Sequence, residues 1–250
     1  AAGVAAAGLK PVVAVYSAFL QRGYDQIVHD VCMQKLPVIF AIDRAGLVGS
    51  DGETHQGIFD LSFLANIPNL CIMAPKNKQE LYSMLKFALK YDGPIAIRYP
   101  RGQAYEGLDG FREKIVYGKA EVLYKEKDIA LFAVGSMVKI AEEVREVLKE
   151  KGFRCTLVNA RFVKEFDKDL IRELSTDHKL LVTMEENVST GGFGERVVDY
   201  VCSNRIDLDV EKIALPDMYV EHGNVNILYK DARIDADSVV ERILAAMERD

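Results

Sequence analysis

The sequence predicts an α/β protein of two domains, each with a mostly parallel β-sheet flanked by helices. Apolar runs alternate with segments of helical periodicity along the 250 residues. The apolar runs contain few polar residues, which is typical of strands that are covered on both faces. The alternation stops only between residues 102 and 114, where glycines are frequent and large apolar side chains are few. We therefore expect one domain at residues 1–110 and a second at 111–250.

Four strands are expected in the first domain, at residues 12–16, 38–42, 70–74 and 94–99. One helix is predicted over residues 20–34, because the apolar side chains of that segment fall on one helix face. Shorter helices are predicted near residues 58–65 and 78–90. The first residues resemble the last turns of a helix that ends at Gly8, with no capping signal before it. We expect from this that the chain is a fragment whose preceding segment is missing.

The second domain is expected to repeat the strand–helix alternation. Ser136 is a candidate cap for its first helix and Gly152 a candidate end. The expected strands lie at 119–124, 128–134, 154–159, 179–185 and 210–215, and the expected helices at 138–149, 167–174, 193–202 and 236–248.

Composition excludes several classes of protein. With 49% hydrophobic and 28% charged residues, the chain is not of a disordered or low-complexity kind. No apolar run is long enough for a membrane helix, so no membrane association is expected. The net charge of −6 argues against a general nucleic-acid binder. Any anion site must therefore be local.

The cysteines are far apart in sequence and lack the spacing of a zinc site. Each lies in or beside an apolar segment. We expect buried free thiols in a reducing compartment, which indicates a cytoplasmic protein. The cysteines are Cys32, Cys71, Cys155 and Cys202.

Arginines follow three of the expected strands of the first domain. Arg22 comes after the first strand, Arg44 after the second and Arg101 after the fourth. Ligands of parallel α/β sheets bind at the carboxyl ends of the strands. Planar guanidinium groups can donate two parallel hydrogen bonds to a phosphate. A single arginine is usually a solvated surface charge. Three at strand ends of an acidic chain predict an anion pocket.

The segment 43–57 is an unusually long predicted loop, with four glycines among polar residues. Loops of this length are often functional, so Arg44, Asp51 and His55 are expected to surround a small ligand. His55 is suited to relay protons or to hydrogen-bond a substrate oxygen. The alternative is a solvated connector. Tyr16 and Phe19 are either core aromatics or stack on a planar heterocycle.

Two segments of the second half each allow two interpretations. The glycine-rich segment 190–195 precedes a helix, which favours close helix packing, with an anion cradle as the alternative. Glu185-Glu186-Asn187 ends an expected strand and is expected to cap an element or contact the other domain.

Seven short motifs follow one another along the chain. They are Tyr16-Ser-x-Phe19-Leu20-Gln21-Arg22, Asp43-Arg44-Ala45-Gly46, Asp51-Gly52-x-Thr54-His55-Gln56-Gly57, Arg98-Tyr99-Pro100-Arg101-Gly102, Arg161-Phe162-Val163-Lys164, Glu185-Glu186-Asn187 and Leu215-Pro216-Asp217. In this order, the motifs closely resemble the 1-deoxy-D-xylulose 5-phosphate synthase family. The resemblance spans nearly the whole chain, and it rests on several motifs in order rather than on any one of them.

This resemblance implies a transketolase-like transferase that uses thiamine diphosphate and magnesium. Enzymes of the family join pyruvate to D-glyceraldehyde 3-phosphate, release carbon dioxide and form 1-deoxy-D-xylulose 5-phosphate. Their product feeds isoprenoid, thiamine and pyridoxal phosphate synthesis. By resemblance, residues 1–110 form a pyrimidine-binding domain, truncated at its start, and residues 111–250 form a transketolase C-terminal domain. A homodimer is also implied.

The resemblance also implies roles for the candidate site residues. Phe19 corresponds to the residue that packs on the aminopyrimidine ring of the cofactor. Asp51 and His55 correspond to catalytic residues that hold the substrates and assist proton transfer. The aldehyde-phosphate site corresponds to Tyr16, Arg22, Arg44 and Arg101.

One departure from the family pattern matters. The family's cofactor-activating glutamate lies in a Gly-Ile-Ala-Glu-Gln-His stretch that precedes the point where this chain begins. The diphosphate-binding domain, which holds magnesium in the family, also precedes it, so no metal site is expected within these residues. Our hypothesis is that the chain alone is inactive and needs that N-terminal domain as a partner.

Two alternatives stay open on sequence alone. One is a part of another thiamine diphosphate enzyme, either a transketolase or the β subunit of a 2-oxo acid dehydrogenase E1 component. Substrate preference would distinguish these. The other is a non-catalytic assembly module. In that case, replacement of Arg44 and Arg101 in the full-length parent protein would leave its activity intact.

Overall fold

The computed structural model describes residues 1–248 and contains two β-sheets. The fold class predicted from the sequence is confirmed, because each sheet is parallel or mostly parallel and is flanked by helices. Residues 102–114 contain no helix or strand, as expected for a connection between domains. The boundary at residue 110 stays a prediction, and residues 249–250 of the expected second domain lie outside the described residues.

The first sheet has four parallel strands in the order β1-β2-β4-β3. Each strand begins and ends within about two residues of its predicted place. Asn77 caps the longest helix of this domain by accepting a hydrogen bond from the Glu80 backbone N–H. The strands are β1 (Val12–Tyr16), β2 (Ile39–Asp43), β3 (Cys71–Met73) and β4 (Ile95–Arg98). The helices are α1 (Ala2–Ala6), α2 (Ser17–Leu20), α3 (Tyr24–Gln26), α4 (Asp60–Leu64) and α5 (Lys78–Lys90).

The single helix predicted over residues 20–34 is wrong in detail. The chain passes from α2 through a 3₁₀ turn at Gln21–Gly23 to α3, and then through a π-helical segment at Ile27–Cys32. Apolar side chains such as Ile27 and Val31 still face the core. The helix is wound more tightly in the 3₁₀ turn and more loosely in the π-helical segment, and together these keep the apolar side chains on one face. The apolar periodicity therefore does not reveal the changes in winding.

The second sheet has five strands in the order β5-β7-β6-β8-β9, and β5 is its one antiparallel member. Gly152 follows the end of the first helix of this domain at a φ of +90°, as predicted. The helix Val225–Asp231 was not predicted. The strands are β5 (Glu121–Tyr124), β6 (Asp128–Ala133), β7 (Cys155–Asn159), β8 (His178–Val188) and β9 (Asp209–Leu215). The helices are α6 (Met137–Glu150), α7 (Lys168–Leu174), α8 (Phe193–Ser203), α9 (Val225–Asp231) and α10 (Ala236–Met247).

Two sequence predictions at single residues are corrected. Ser136 does not cap α6, because its side chain makes no capping hydrogen bond and donates instead to Glu186 of β8. Cys202 is exposed, whereas Cys32, Cys71 and Cys155 are buried free thiols as expected. Val201, beside Cys202 on α8, is buried, so Cys202 lies just outside the packed face of that helix.

The two domains share backbone hydrogen bonds and a core. The Ala74 N–H donates to the Arg161 carbonyl at 2.9 Å, and the Val163 N–H donates to the Ile72 carbonyl at 3.0 Å. One apolar cluster contains Leu64 of the first domain and Phe193 of the second. Among the helices of residues 1–248, none has the length and apolar character needed to cross a membrane.

Candidate functional site

The candidate site lies at the carboxyl ends of the first sheet's strands. Tyr16 at the end of β1 is in register with Asp43 at the end of β2, and Ile42 with Arg98 at the end of β4. The segments that follow these strands therefore leave the sheet side by side. The long loop 43–57 is closed at its base by mutual hydrogen bonds between Gly46 and Gly57, at 2.7 and 2.8 Å.

Asp51 brings two of the predicted arginines together. Its Oδ2 accepts from Arg44 Nη1 at 2.6 Å and from Arg101 Nη1 at 3.0 Å. Arg101 also donates to the Val48 carbonyl at 3.2 Å. The exposed fraction of the side chain is 23% for Arg44, 26% for Asp51 and 40% for Arg101. Two cations thus converge on one accessible carboxylate oxygen.

The aromatic candidates continue from this cluster. The Arg44 guanidinium lies 4.0 Å from the centre of the Tyr16 ring, and the Tyr16 and Phe19 rings stack at 5.5 Å. The His55 ring meets Phe19 edge-on at 5.2 Å, and His55 Nδ1 is 2.9 Å from Thr54 Oγ1. Phe19 is 46% exposed, so the interpretation of this ring as a core aromatic is wrong.

Arg22 is the candidate that the structure does not bring into this cluster. It lies in the exposed 3₁₀ turn after α2. Within residues 1–248 it has neither a side-chain hydrogen bond nor an ion pair, whereas Arg44 and Arg101 have both. Among the described residues, no hydrogen bond or ion pair therefore links Arg22 to Arg44, Asp51 or Arg101.

A cavity of about 500 Å³ lies beside the segments that carry Phe19 and His55, and the chain neighbours of these residues line it. Ala18 and Gln21, which flank Phe19 and Leu20 in the chain, line one side together with Thr54. Tyr219 of the second domain contributes to the wall and meets Phe59 edge-on at 6.2 Å. The walls combine aromatic and polar side chains, a mixture that fits a planar heterocycle.

The second domain holds the loop 43–57 through buried polar contacts. Glu186 Oε1 accepts from the Leu47 N–H at 2.6 Å. Gln56 accepts from the Val48 N–H at 2.7 Å and donates to the Glu221 carbonyl at 3.0 Å. Arg98, which is buried, forms an ion pair with Asp60 at 2.8 Å. The expectation that the segment 185–187 caps an element or contacts the other domain agrees with these bonds.

Glu185 and Glu186 point to different partners. Glu185 accepts from the backbone N–H groups of Phe193 at 2.7 Å and Gly194 at 2.8 Å, at the start of α8. The anion at this helix start is therefore the protein's own carboxylate, and the glycines allow it to approach closely. Burial raises the pKa of Glu185 to about 7, and burial also raises the pKa of Glu186.

Sequence reasoning missed two residues of the second domain that contribute to the site, Ser136 and Tyr219. Tyr219 follows the last strand, and Ser136 follows β6, where it donates to Glu186 at 2.7 Å. The position of Ser136 just after a strand of the second sheet is the signal in the sequence that points to it. Nothing local marks Tyr219. Among residues 1–248, no group of three histidine, cysteine or acidic side chains is arranged to hold a metal ion.

Comparison with known families gives matches to both halves of the chain. A model described as transketolase, pyrimidine binding domain, matches residues 1–106. A model described as transketolase, C-terminal domain, matches residues 118–239. A solved structure titled "Split gene transketolase, inactive beta4 tetramer" superposes with a TM-score of 0.90 at 26% identity, covering 99% of this chain and 80% of that one.

Curated relatives are more similar in sequence. The 1-deoxy-D-xylulose-5-phosphate synthase of Lachnoclostridium phytofermentans is 54% identical over 97% of this chain. The enzyme of the same name from Heliobacterium modesticaldum is 48% identical over 99% of this chain. The chain spans 39% of the length of each of these relatives. The chain therefore belongs to the 1-deoxy-D-xylulose-5-phosphate synthase family.

Proposed function

We propose that this chain supplies the aldehyde-phosphate site and the pyrimidine-ring site of a thiamine diphosphate-dependent 1-deoxy-D-xylulose 5-phosphate synthase. The reaction joins pyruvate to D-glyceraldehyde 3-phosphate with loss of carbon dioxide. The observation that carries the proposal is the convergence of Arg44 and Arg101 on Asp51 beside the exposed ring of Phe19. Family membership supports the choice of reaction.

The two arginines bind the phosphate of the aldehyde substrate. Both guanidinium groups are within 3.0 Å of the same oxygen, so a phosphate at this place receives charge-assisted hydrogen bonds from both. The Tyr16 ring supports the Arg44 guanidinium from one face. Arg22, which is exposed, turns toward the phosphate once it is bound. Asp51 gives up part of its contact with the arginines and hydrogen-bonds a hydroxyl of the substrate.

Phe19 and the adjoining cavity hold the cofactor's aminopyrimidine ring. When bound, thiamine diphosphate supplies the nucleophilic carbon and the electron sink that decarboxylation of pyruvate requires. Phe19 packs against the ring and excludes water from that face. His55, held by Thr54 and by the edge of Phe19, donates a proton to the aldehyde oxygen as the new carbon–carbon bond forms.

Further elements of the proposal come from family membership. A diphosphate-binding domain, with magnesium, completes the site, and the working assembly is a homodimer in the cytoplasm. The product feeds isoprenoid, thiamine and pyridoxal phosphate synthesis. The exposed Leu9 and Val12, which is on the edge strand β1, provide apolar surface for such an assembly.

The test is a chimera assay. This chain is joined to, or mixed with, the part of the Lachnoclostridium phytofermentans relative that it does not match. Thiamine diphosphate, magnesium, pyruvate and glyceraldehyde 3-phosphate are added, and deoxyxylulose phosphate is measured. We expect product from the combination and none from either part alone. Arg44→Gln and Arg101→Gln should each raise KM for the aldehyde at least tenfold, because a charged hydrogen bond is worth roughly 1.5–3 kcal/mol.

The control is Lys78→Ala, which removes an exposed cation remote from the site without touching the arginines. Product from this chain alone would contradict the need for a second part. Unchanged KM in both arginine variants would contradict the phosphate site and would favour the assembly-module alternative. Turnover of two sugar phosphates without pyruvate would favour the transketolase alternative.

A further inference from the structure

Glu186 of the second domain contacts the loop 43–57 of the first domain, which we call the substrate loop. Its Oε1 accepts from the Leu47 N–H at 2.6 Å, and its Oε2 accepts from Ser136 Oγ at 2.7 Å. The residue is 1% exposed. A carboxylate only accepts hydrogen bonds, and here two donors from two separate segments each bind one of its oxygens, so its orientation is fixed at both.

The loop is shaped to receive this carboxylate. Gly46, just before Leu47, has a φ of +82°, and a Cβ there would lie 2.3 Å from the carboxyl carbon of Glu186. Only glycine accommodates both the backbone conformation and the close approach. The Arg98 Nη2 also donates to the Glu186 carbonyl at 3.2 Å, which fixes the backbone of β8 against the first sheet. The space beside Gly46 and the hydrogen bonds of Glu186 therefore both favour this position of the carboxylate.

The contact lies between the groups that form the anion pocket. Arg44 precedes Leu47 by three residues, and Val48, whose carbonyl accepts from Arg101, follows it directly. Gln56 fixes the far side of the loop by accepting from the Val48 N–H. A shift of Leu47 would therefore move Val48 and with it one of the partners that orient Arg101.

We propose that Glu186 is a positioning residue that fixes the loop 43–57 from the second domain, so that Arg44, Asp51 and Arg101 meet in an arrangement that binds phosphate. This inference rests on the phosphate site proposed above. Glu186 acts through the Leu47 N–H and touches no substrate. Its function is to make the geometry of a site in one domain depend on the docking of the other.

Glu185 provides a matched control. It is the neighbouring residue, is equally buried at 1% exposure and also accepts two hydrogen bonds, but its partners are the N–H groups at the start of α8. Replacement of either glutamate by alanine therefore removes a buried carboxylate from the same strand. Only Glu186→Ala removes one that contacts the substrate loop.

The experiment measures backbone amide exchange and phosphate binding in this 250-residue chain. Peptides that cover residues 46–50 are followed by hydrogen–deuterium exchange mass spectrometry, and inorganic phosphate is titrated by calorimetry. We expect Glu186→Ala to speed exchange in this segment about tenfold or more, since a buried hydrogen bond is lost, and to weaken phosphate binding. Glu185→Ala should leave loop exchange at the wild-type rate while exchange at the start of α8 rises.

Milder variants cover the case in which Glu186→Ala does not fold. Glu186→Gln keeps an acceptor for Leu47 and lets the Ser136 hydroxyl rotate to accept, so loop exchange should stay within a few-fold of wild type. Ser136→Ala removes one orienting donor and should give an intermediate rate. Equal acceleration of loop exchange by Glu185→Ala and Glu186→Ala would overturn the proposal, as would wild-type exchange in Glu186→Ala.

The two readouts separate this inference from the proposed function. If the wild-type chain bound no phosphate, the phosphate site would be in error, and the exchange data would still decide whether Glu186 fixes the loop. If phosphate bound equally well to wild type and to a Glu186→Ala chain with a loosened loop, the positioning role would be wrong although the phosphate site stood.

Discussion

Asp51 occupies, in this structure, the place where we expect a phosphate to bind. Its ion pairs with Arg44 and Arg101 are partly exposed, and such pairs are worth up to about 1 kcal/mol each. A dianion that engages both guanidinium groups can therefore displace the carboxylate at small cost. The same carboxylate keeps the arginines together when no ligand is bound.

We predict that Asp51→Asn binds inorganic phosphate about fivefold more tightly than wild type, because a competing charge worth up to about 1 kcal/mol is removed. Calorimetric titration at low and high salt measures this, and added salt should weaken binding in both proteins. Glu53→Gln is the matched control, since it removes the same charge from an exposed position of the same loop. Equal gains in both variants would mean that only net charge matters.

Glu185 makes stability depend on pH. Burial raises the pKa of its carboxyl from 4.5 to about 7 in the folded chain. Between these values the folded chain holds a proton that the unfolded chain has released. The free energy of unfolding therefore falls as pH rises from about 5 to 7, by an amount that approaches 3 kcal/mol.

Urea denaturation of wild type and Glu185→Gln at several pH values tests this. As pH rises through this range, we expect the free energy of unfolding of wild type to fall relative to that of Glu185→Gln, because glutamine has no proton to release. The comparison with the variant removes the contributions of other titrating groups. A difference that is constant between pH 5 and 8 would contradict the raised pKa.

The sequence predicted single site residues well where one rule sufficed. Arg44 and Arg101 were found because parallel strands end at one edge of a sheet, and that geometry follows from the fold class. Ser136 was assigned wrongly, because the capping rule considers only neighbours in the chain. Its actual partner, Glu186, is 50 residues away. Contacts of this kind depend on how two domains dock, which no local pattern encodes.

At the scale of elements, α5 and the second sheet are joined by a buried ionic network. Glu80 of α5 accepts from Arg161 Nε at 2.7 Å and from Asn159 at 2.9 Å. Lys76 pairs with Glu121 of β5 at 2.7 Å. Burial alone would raise the pKa of Glu121, but the hydrogen bond from Lys76 and the charge of Arg161 lower it below its ordinary value.

We predict that Glu80→Ala lowers the free energy of unfolding by about 3–5 kcal/mol, because it leaves the buried cations of Lys76 and Arg161 with a single carboxylate, Glu121, between them. Urea denaturation measures the loss. Glu106→Ala is the control. It breaks an ion pair between the same helix and the connecting segment, and both of that pair's side chains are more than 60% exposed. We expect no measurable change there, and a similar loss in both variants would contradict the role of burial.

Predictability also differed among elements. The strands were located closely because their apolar runs are bounded by polar or glycine residues. The sequence predicts one helix over residues 20–34, whereas the winding changes at Gly23 and again at Ile27. The helix Val225–Asp231 was missed because it is short and has only one buried side chain, Leu228. Its start is marked only by the Asn224 cap.

At the scale of the whole molecule, the two domains are not independent units. The fold class and the family were predictable, because the strand–helix alternation and the ordered motifs are properties of the chain itself. The interface was not predictable in the same way. It combines a shared apolar cluster, backbone pairing between Met73 and Phe162, and the ionic network around Glu80.

Because these contacts cross between the domains, we predict that residues 1–248 unfold in one cooperative transition. Separate unfolding would expose the apolar surface around Ile72 and Phe193 and leave Arg161 without its partner Glu80. Far-ultraviolet circular dichroism and hydrogen exchange of peptides from each sheet should give coincident urea midpoints. Glu80→Ala, which breaks one connection, should lower both midpoints together. Two midpoints in the wild-type chain would contradict this, because they would show that one domain stays folded after the other has unfolded.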